Sequence, residues 1–184
     1  QYYFRAGVTG KLQLLPAING MICLNGFEEL SGGSCLNIPD QSKWVPSMGY
    51  EFYEPGFGTL LTEYSTKYPT LPLVVTESGI ATNVGERRAE NIVRSLEQIA
   101  EAQAQGADIR GYYHWSLTDN FEWAEGYEPR FGLYTVNRDT FERTPTLGAT
   151  VLSTIASDRA LSGEMQLNYG GIGPMTSEPA EGLE

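Results

Sequence analysis

Histidine and cysteine are scarce in this chain of 184 residues: there is one His, His114, and there are two Cys, Cys23 and Cys35. Zinc and related centres collect about three or four imidazole, thiolate or carboxylate ligands. His114 is far in sequence from both cysteines, so a metal centre of that kind is excluded and no metal or cofactor is expected. Cys23 and Cys35 sit in a Gly-rich stretch, where a loop disulfide and two free thiols both fit the spacing. Basic residues are scarce too, 12 Lys and Arg against 23 Asp and Glu, for a net charge of −11. They are scattered, with only Arg87-Arg88 adjacent. So acidic a surface is a poor match for nucleic acid or an anionic membrane face. No apolar run approaches the roughly 20 residues of a spanning helix, and no signal peptide is visible. A soluble protein is expected, with the cytoplasm favoured and the compartment otherwise open.

What is present is an ordinary globular composition, 41% hydrophobic and 19% charged, with 11 Tyr, 7 Phe and 3 Trp. Such aromatics suit a sugar or aromatic-ligand site and equally suit a core. The length allows one domain with a sizeable core but is short of the roughly 250 residues of a complete α/β barrel. Gln1-Tyr2-Tyr3 reads as the end of a strand. Residues 15–50 hold many Gly, Pro, Ser and Asn without periodicity, a long loop of the kind that carries function. Phe57, Leu60, Leu61, Tyr64 and Tyr68 fall at helical spacing, and Pro69 stops that helix. LPLVVTE is a short, β-branched apolar run, predicting a strand buried on both faces of a parallel sheet.

ERRAENIVRSLEQIAEAQAQG predicts the clearest helix. Its stripe is Ala89, Ile92, Val93, Leu96, Ile99, Ala100 and Gln103, with Gly106 as C-terminal cap. Asp108–Trp115 is the next strand, a loop runs to about 144, and Thr146–Ala156 is a final helix. Alternating helices and strands with near-obligatory right-handed crossovers make this α/β architecture. Residues 1–156 are expected to form the folded part. From 157 the chain is Gly-, Pro- and Glu-rich with few apolar residues, predicting a flexible tail over 157–184.

In α/β barrels chemistry gathers at the carboxyl ends of strands. Here those ends would bring Tyr3, Glu77, Trp115, Glu122 and Trp123 to one face. Fixed carboxylates grip sugar hydroxyls, a flat indole supports the apolar face of a pyranose, and paired carboxylates run glycoside hydrolysis. The competing readings are plain: Asp119-Asn120 as turn chemistry, Trp115 and Trp123 as core, Glu122 as a solvated loop acid.

Several segments carry a resemblance. VVTESGIA resembles the Thr-Glu-Asn-Gly signature of family 1 glycoside hydrolases, the β-glucosidase and β-galactosidase group. GADIRGYYHWSLTDNFEWAEGYEPRFGLYTVN is similar to that family's last barrel strand and loop, and RTPTLGATVLSTI to its closing helix. WVPSMGYEFYEPGFGTLL is similar to the segment leading into its sixth helix, and Gln1-Tyr2-Tyr3 to the end of its sixth strand. The likeness covers residues 1–3 and most of 44–156. It implies the C-terminal portion of a (β/α)8 TIM barrel, from the end of strand 6 through helix 8, and a retaining β-glycosidase working by double displacement. By the same resemblance Glu77 is the catalytic nucleophile and Tyr3 the residue whose hydroxyl orients it. Glu122 grips two sugar hydroxyls, the Trp123 indole reaches another, and Trp115 is the platform beneath the ring. The Trp115–Ser116 peptide is implied to be cis.

The chain also departs from the family pattern. Ser78 stands where Asn is usual, and Asn91 and Ser95 replace a frequent Tyr and His, which read as packing changes on the outer ring. No Asn-Glu-Pro sequence, the family's acid/base strand end, is present. The expectation is therefore a fragment that begins mid-protein, binds a β-glycoside, and needs the N-terminal part of the barrel for turnover. The alternative is a non-catalytic sugar-binding remnant, or one subunit of a split barrel. An acidic residue at 122 argues against the phosphorylated-sugar branch of the family.

Overall fold

In the computed structural model, residues 41–178 are described. Tyr3, the Gln1-Tyr2-Tyr3 strand end, Cys23, Cys35 and most of the predicted 15–50 loop lie outside the described residues.

At the centre are two parallel strands, β3 (Leu73–Ser78) and β4 (Ile109–His114), joined through a long helix, α2 (Gly85–Ala104). Ahead of them come a small antiparallel pair, β1 (Trp44–Val45) with β2 (Tyr50–Glu51), and the helix α1 (Glu54–Lys67). After β4 a loop leads to a second antiparallel pair, β5 (Tyr134–Val136) with β6 (Arg143–Pro145). Then follow α3 (Leu147–Asp158) and the short α4 (Gly163–Tyr169). The strand–helix–strand unit is the repeating element of the (β/α)8 barrel, as expected of part of such a barrel.

Local chemistry sets the boundaries. Pro55 opens α1, where its missing N–H costs nothing. Phe57 and Leu61 bury one side of α1 against Val75, Ile99, Ala102 and Ile109. Tyr64 and Tyr68 continue the spacing but stand 52% and 41% exposed, beyond the reach of that core. The end of α2 is a paired cap: the Gly106 amide donates to the Gln103 carbonyl (2.9 Å) and the Ala107 amide to Ala102 (3.0 Å). That geometry needs a positive φ, which Gly106 supplies at 100°. The Thr146 hydroxyl accepts from the Ala149 amide and caps α3.

Two expectations are corrected. The strand β3 is not buried on both faces: Val75 is buried, but Val74 is 49% exposed. The helices cover one face of the β3–β4 pair, and the other has no covering layer among the described residues. Asn91 and Ser95 are each 1% exposed, packed within the helix layer. Residues 157–178 are not a flexible tail. Ser162 caps α4, and the following stretch lies along α2 with Met175 buried. Leu161, Met165 and Tyr169 pack on Ala89, Val93 and Val151, and polar side chains of α2 hold the residues that follow.

Candidate active site

Glu77 sits on the last turn of pairing in β3. The ladder shifts register between Val75 and Ser78, so strict alternation ends just before it, and the Glu77 side chain is exposed. Beside it, the Trp115 amide donates to the Ser78 carbonyl (2.9 Å), locking the end of β4 to the end of β3. The Trp115–Ser116 peptide bond is cis. Gly79 passes directly beneath this corner: a Cβ there would fall 1.8 Å from the Trp115 carbonyl oxygen. The glycine of the Thr-Glu-Ser-Gly run is thus required by the Trp-Ser corner.

Beyond that corner the chain from Ser116 to Leu133 forms a loop tied at its base. The Ser116 amide donates to the Phe131 carbonyl (3.1 Å), and the Leu133 amide donates back to Ser116 (2.8 Å). Asp119 is 3% exposed and is no simple turn residue. Its Oδ1 accepts from the Gly132 amide (2.9 Å) and its Oδ2 pairs with Arg130 (3.3 Å). Arg88, reaching up from α2, donates to the carbonyls of Thr82 and Arg130, each at 2.6 Å. One buried guanidinium therefore joins the loop after Glu77 to the loop that carries Glu122.

Inside that loop a tight turn over Trp123–Glu125 points neighbouring side chains in opposite directions. The Glu122 amide donates to the Gly126 carbonyl (2.6 Å), and Trp123 and Gly126 take φ of 53° and 66°. Glu122 turns inward and is 6% exposed, while Trp123 stands 82% exposed. The Trp115 indole N–H donates to Glu122 Oε1 (3.3 Å). Burial, first of all, pushes the Glu122 carboxyl above the usual carboxylate range. Hydrogen bonds from Trp115 and Asn120 oppose that shift, while the Asp119 and Glu77 charges reinforce it. Glu122 thus contacts Trp115 and lies within reach of the Glu77 charge, whereas Trp123 projects from the loop and Tyr3 lies outside the described residues.

On the helix-covered side of β4, Tyr112 packs against the core of Phe57, Leu61 and Val75. Burial pushes the Tyr112 phenol up to about 12, against a hydrogen bond with Ser78. Burial and then the Arg88 charge push His114 down to about 3. Neither residue was singled out from sequence for such a role, nor were Gly79, Arg88 and Asp119. The glycine beside the acidic strand end was the one available signal. Among the described residues, no group of three or more His, Cys, Asp or Glu could hold a metal ion. No helix among them is long and apolar enough to cross a membrane.

Comparison with known proteins fits this layout. The pattern described as Glycosyl hydrolase family 1 matches residues 28–160. A β-galactosidase of Saccharolobus solfataricus is 40% identical over 149 residues, 80% of this chain and 29% of that protein. Beta-glucosidase 47 of Arabidopsis thaliana is 40% identical over 122 residues, 62% of this chain and 23% of that protein. Among solved structures, a β-glycosidase from Pyrococcus horikoshii superposes with a TM-score of 0.68 at 39% identity, covering 74% of this chain and 31% of its own. The chain therefore spans less than a third of the length of these relatives.

Proposed function

Because this chain belongs to glycosyl hydrolase family 1, we propose that it supplies the nucleophile side of a retaining β-glycosidase site. The observation that supports this reading best is the contact of Glu122 with Trp115 within reach of the Glu77 charge, with the Trp115 indole N–H on the Glu122 carboxylate.

In this reading a β-glycoside lies on the Trp115 ring with its hydroxyls accepted by Glu122, and Trp123 and Tyr3 complete the grip. A Glu77 oxygen attacks the anomeric carbon while the bond to the leaving oxygen breaks. A second carboxyl, on a strand that this sequence does not match, gives that oxygen its proton. The glycosyl ester on Glu77 is then cleaved by water, whose proton returns to the second carboxyl. Retaining chemistry needs the two carboxyls about 5–5.5 Å apart, so the N-terminal part of the barrel is the partner this reading requires. The rigid strand end keeps Glu77 in place while charge moves, which lowers the reorganisation cost of attack.

The test is trapping. The full-length protein is incubated with an activated 2-deoxy-2-fluoro β-glycoside, digested and mapped. A sugar ester on the peptide containing Glu77 is expected. An ester on another residue overturns the assignment of Glu77. Sugar binding without any ester or turnover would favour the non-catalytic alternative.

A further inference from the structure

Residues 170–178 run antiparallel along α2 and reach the loop that follows Glu77. They lie past residue 160, where the family match ends. Charged side chains on one side of α2 hold them. Glu97 accepts from the Gly171 amide (2.8 Å), and Arg94 donates to the carbonyls of Gly173 (2.7 Å) and Pro174 (3.1 Å). Glu90 accepts from both the amide and the hydroxyl of Thr176, at 2.9 Å each. Arg87 donates to the Thr176 carbonyl (2.8 Å) and pairs with Glu178 (3.5 Å). Positions 87, 90, 94 and 97 follow helical spacing, so they form a continuous polar stripe. Met175 inserts between these anchors, 4% exposed, into the cluster of Val45, Tyr50, Ile80, Ala81 and Phe131 on which Trp115 packs.

Glu178 closes the arrangement. Its Oε1 accepts from the Asn83 amide (2.9 Å), and its Oε2 accepts from the Thr82 hydroxyl. Thr82 is engaged at its other polar atoms as well. Its amide donates to the Arg130 carbonyl (3.0 Å), its carbonyl accepts from Arg88 (2.6 Å), and its hydroxyl accepts from the Val84 amide (3.0 Å). The short link from Glu77 to α2 is thus pinned five residues past Glu77 by an acid 96 residues beyond Thr82.

We propose that Glu178 is a positioning residue for Glu77, acting through Thr82 and Asn83, and that the 170–178 strap exists to deliver it. A link fixed at Thr82 and seated on Met175 at Ile80 has little freedom left at Ser78, and so limits movement of the carboxylate beside it. The consequence for turnover rests on the reading of Glu77 as nucleophile. The structural part does not, and the two can be tested apart.

The experiment is residue-resolved amide hydrogen exchange on the full-length protein, wild type against Glu178→Ala and Glu178→Gln, with kinetics on an aryl β-glycoside. Two amides report. That of Asn83 is the direct partner of Glu178, and that of Trp115 is bonded to the Ser78 carbonyl. Glu178→Ala is expected to raise exchange at both by about tenfold. It should also lower kcat about fivefold or more, with KM within about twofold. Glu178→Gln, which keeps an oxygen acceptor for Asn83, should restore most of both. Faster exchange confined to Asn83, or no change at either amide, overturns the proposal. Faster exchange at Trp115 with unchanged kcat overturns its link to Glu77. A wild-type protein that hydrolyses no β-glycoside overturns the functional reading instead, while the Trp115 amide still decides the strap.

Discussion

The carbonyl oxygen of Trp115 occupies the space in which a side chain at residue 79 would begin, 1.8 Å from the position of a Cβ. Two motifs separated by a whole helix are therefore one structural unit. The acidic strand end can approach the Trp115–Ser116 corner only if glycine follows Ser78. Gly79→Ala is expected to cost about 3 kcal/mol through forced movement of this corner. Denaturant melts of the two proteins would measure it, and an unchanged midpoint would mean that the corner shifts freely.

On the proposed reading of Glu77 as nucleophile, Glu77→Gln in the full-length protein is expected to lower kcat by about 10⁴-fold or more, since the covalent step is lost. Steady-state kinetics on an aryl β-glycoside would show it. A variant within tenfold of wild type would assign the attack to another group.

On the proposed reading of Glu122 as a sugar-hydroxyl acceptor, Glu122→Gln should lower kcat/KM by roughly 10–100-fold, the value of one or two charge-assisted hydrogen bonds. Because burial holds this carboxyl above the ordinary range, it should take up its proton sooner than an exposed acid as pH falls. The wild-type KM is therefore expected to rise on the acid side, and the Glu122→Gln KM to stay flat there. Parallel pH profiles for the two proteins would refute that role.

His114, pushed down to about 3 by burial and then by Arg88, gives a pH dependence of stability with a definite sign. The unfolded chain takes up a proton near pH 6.5 and the folded chain only near 3. Between these values the unfolded state holds more protons, so stability falls as pH drops, by up to about 1.4 kcal/mol per pH unit. His114→Gln is expected to flatten the fall of Tm between about pH 6.5 and 3. Thermal melts across that range would test it, and equal slopes would place the acid sensitivity elsewhere.

Glu54 is 1% exposed between two cations, with Lys43 at 2.6 Å and Arg94 at 3.5 Å. Glu54→Leu would leave both buried without their anion, at an expected cost of about 3–5 kcal/mol. A melt showing less than about 1 kcal/mol would mean that water reaches the pair once the acid is gone.

The amino-acid sequence by itself determined the strand–helix–strand core and the family. The 3.6-residue spacing of Ala89, Ile92, Val93 and Ile99, the cap at Gly106 and the apolar run before Glu77 are local signals, carried by neighbours in the chain. The Thr-Glu-Ser-Gly and Trp-Ser-Leu-Thr-Asp-Asn-Phe-Glu-Trp runs likewise named candidate site residues before any geometry. What the tertiary structure decided was where polar residues go, because their partners are distant in sequence. Asp119 read as a turn residue, yet the Gly132 amide and Arg130 make it a buried tie. Arg87, Glu90, Arg94 and Glu97 lie off the apolar stripe of α2, on a side that in an amphipathic helix ordinarily faces water. Residues 170–178 cover that side, and backbone amides and carbonyls that could equally have bonded to water bond to the helix instead. Hydrophobic spacing reports which face leaves water. It does not report whether a polar face stays there.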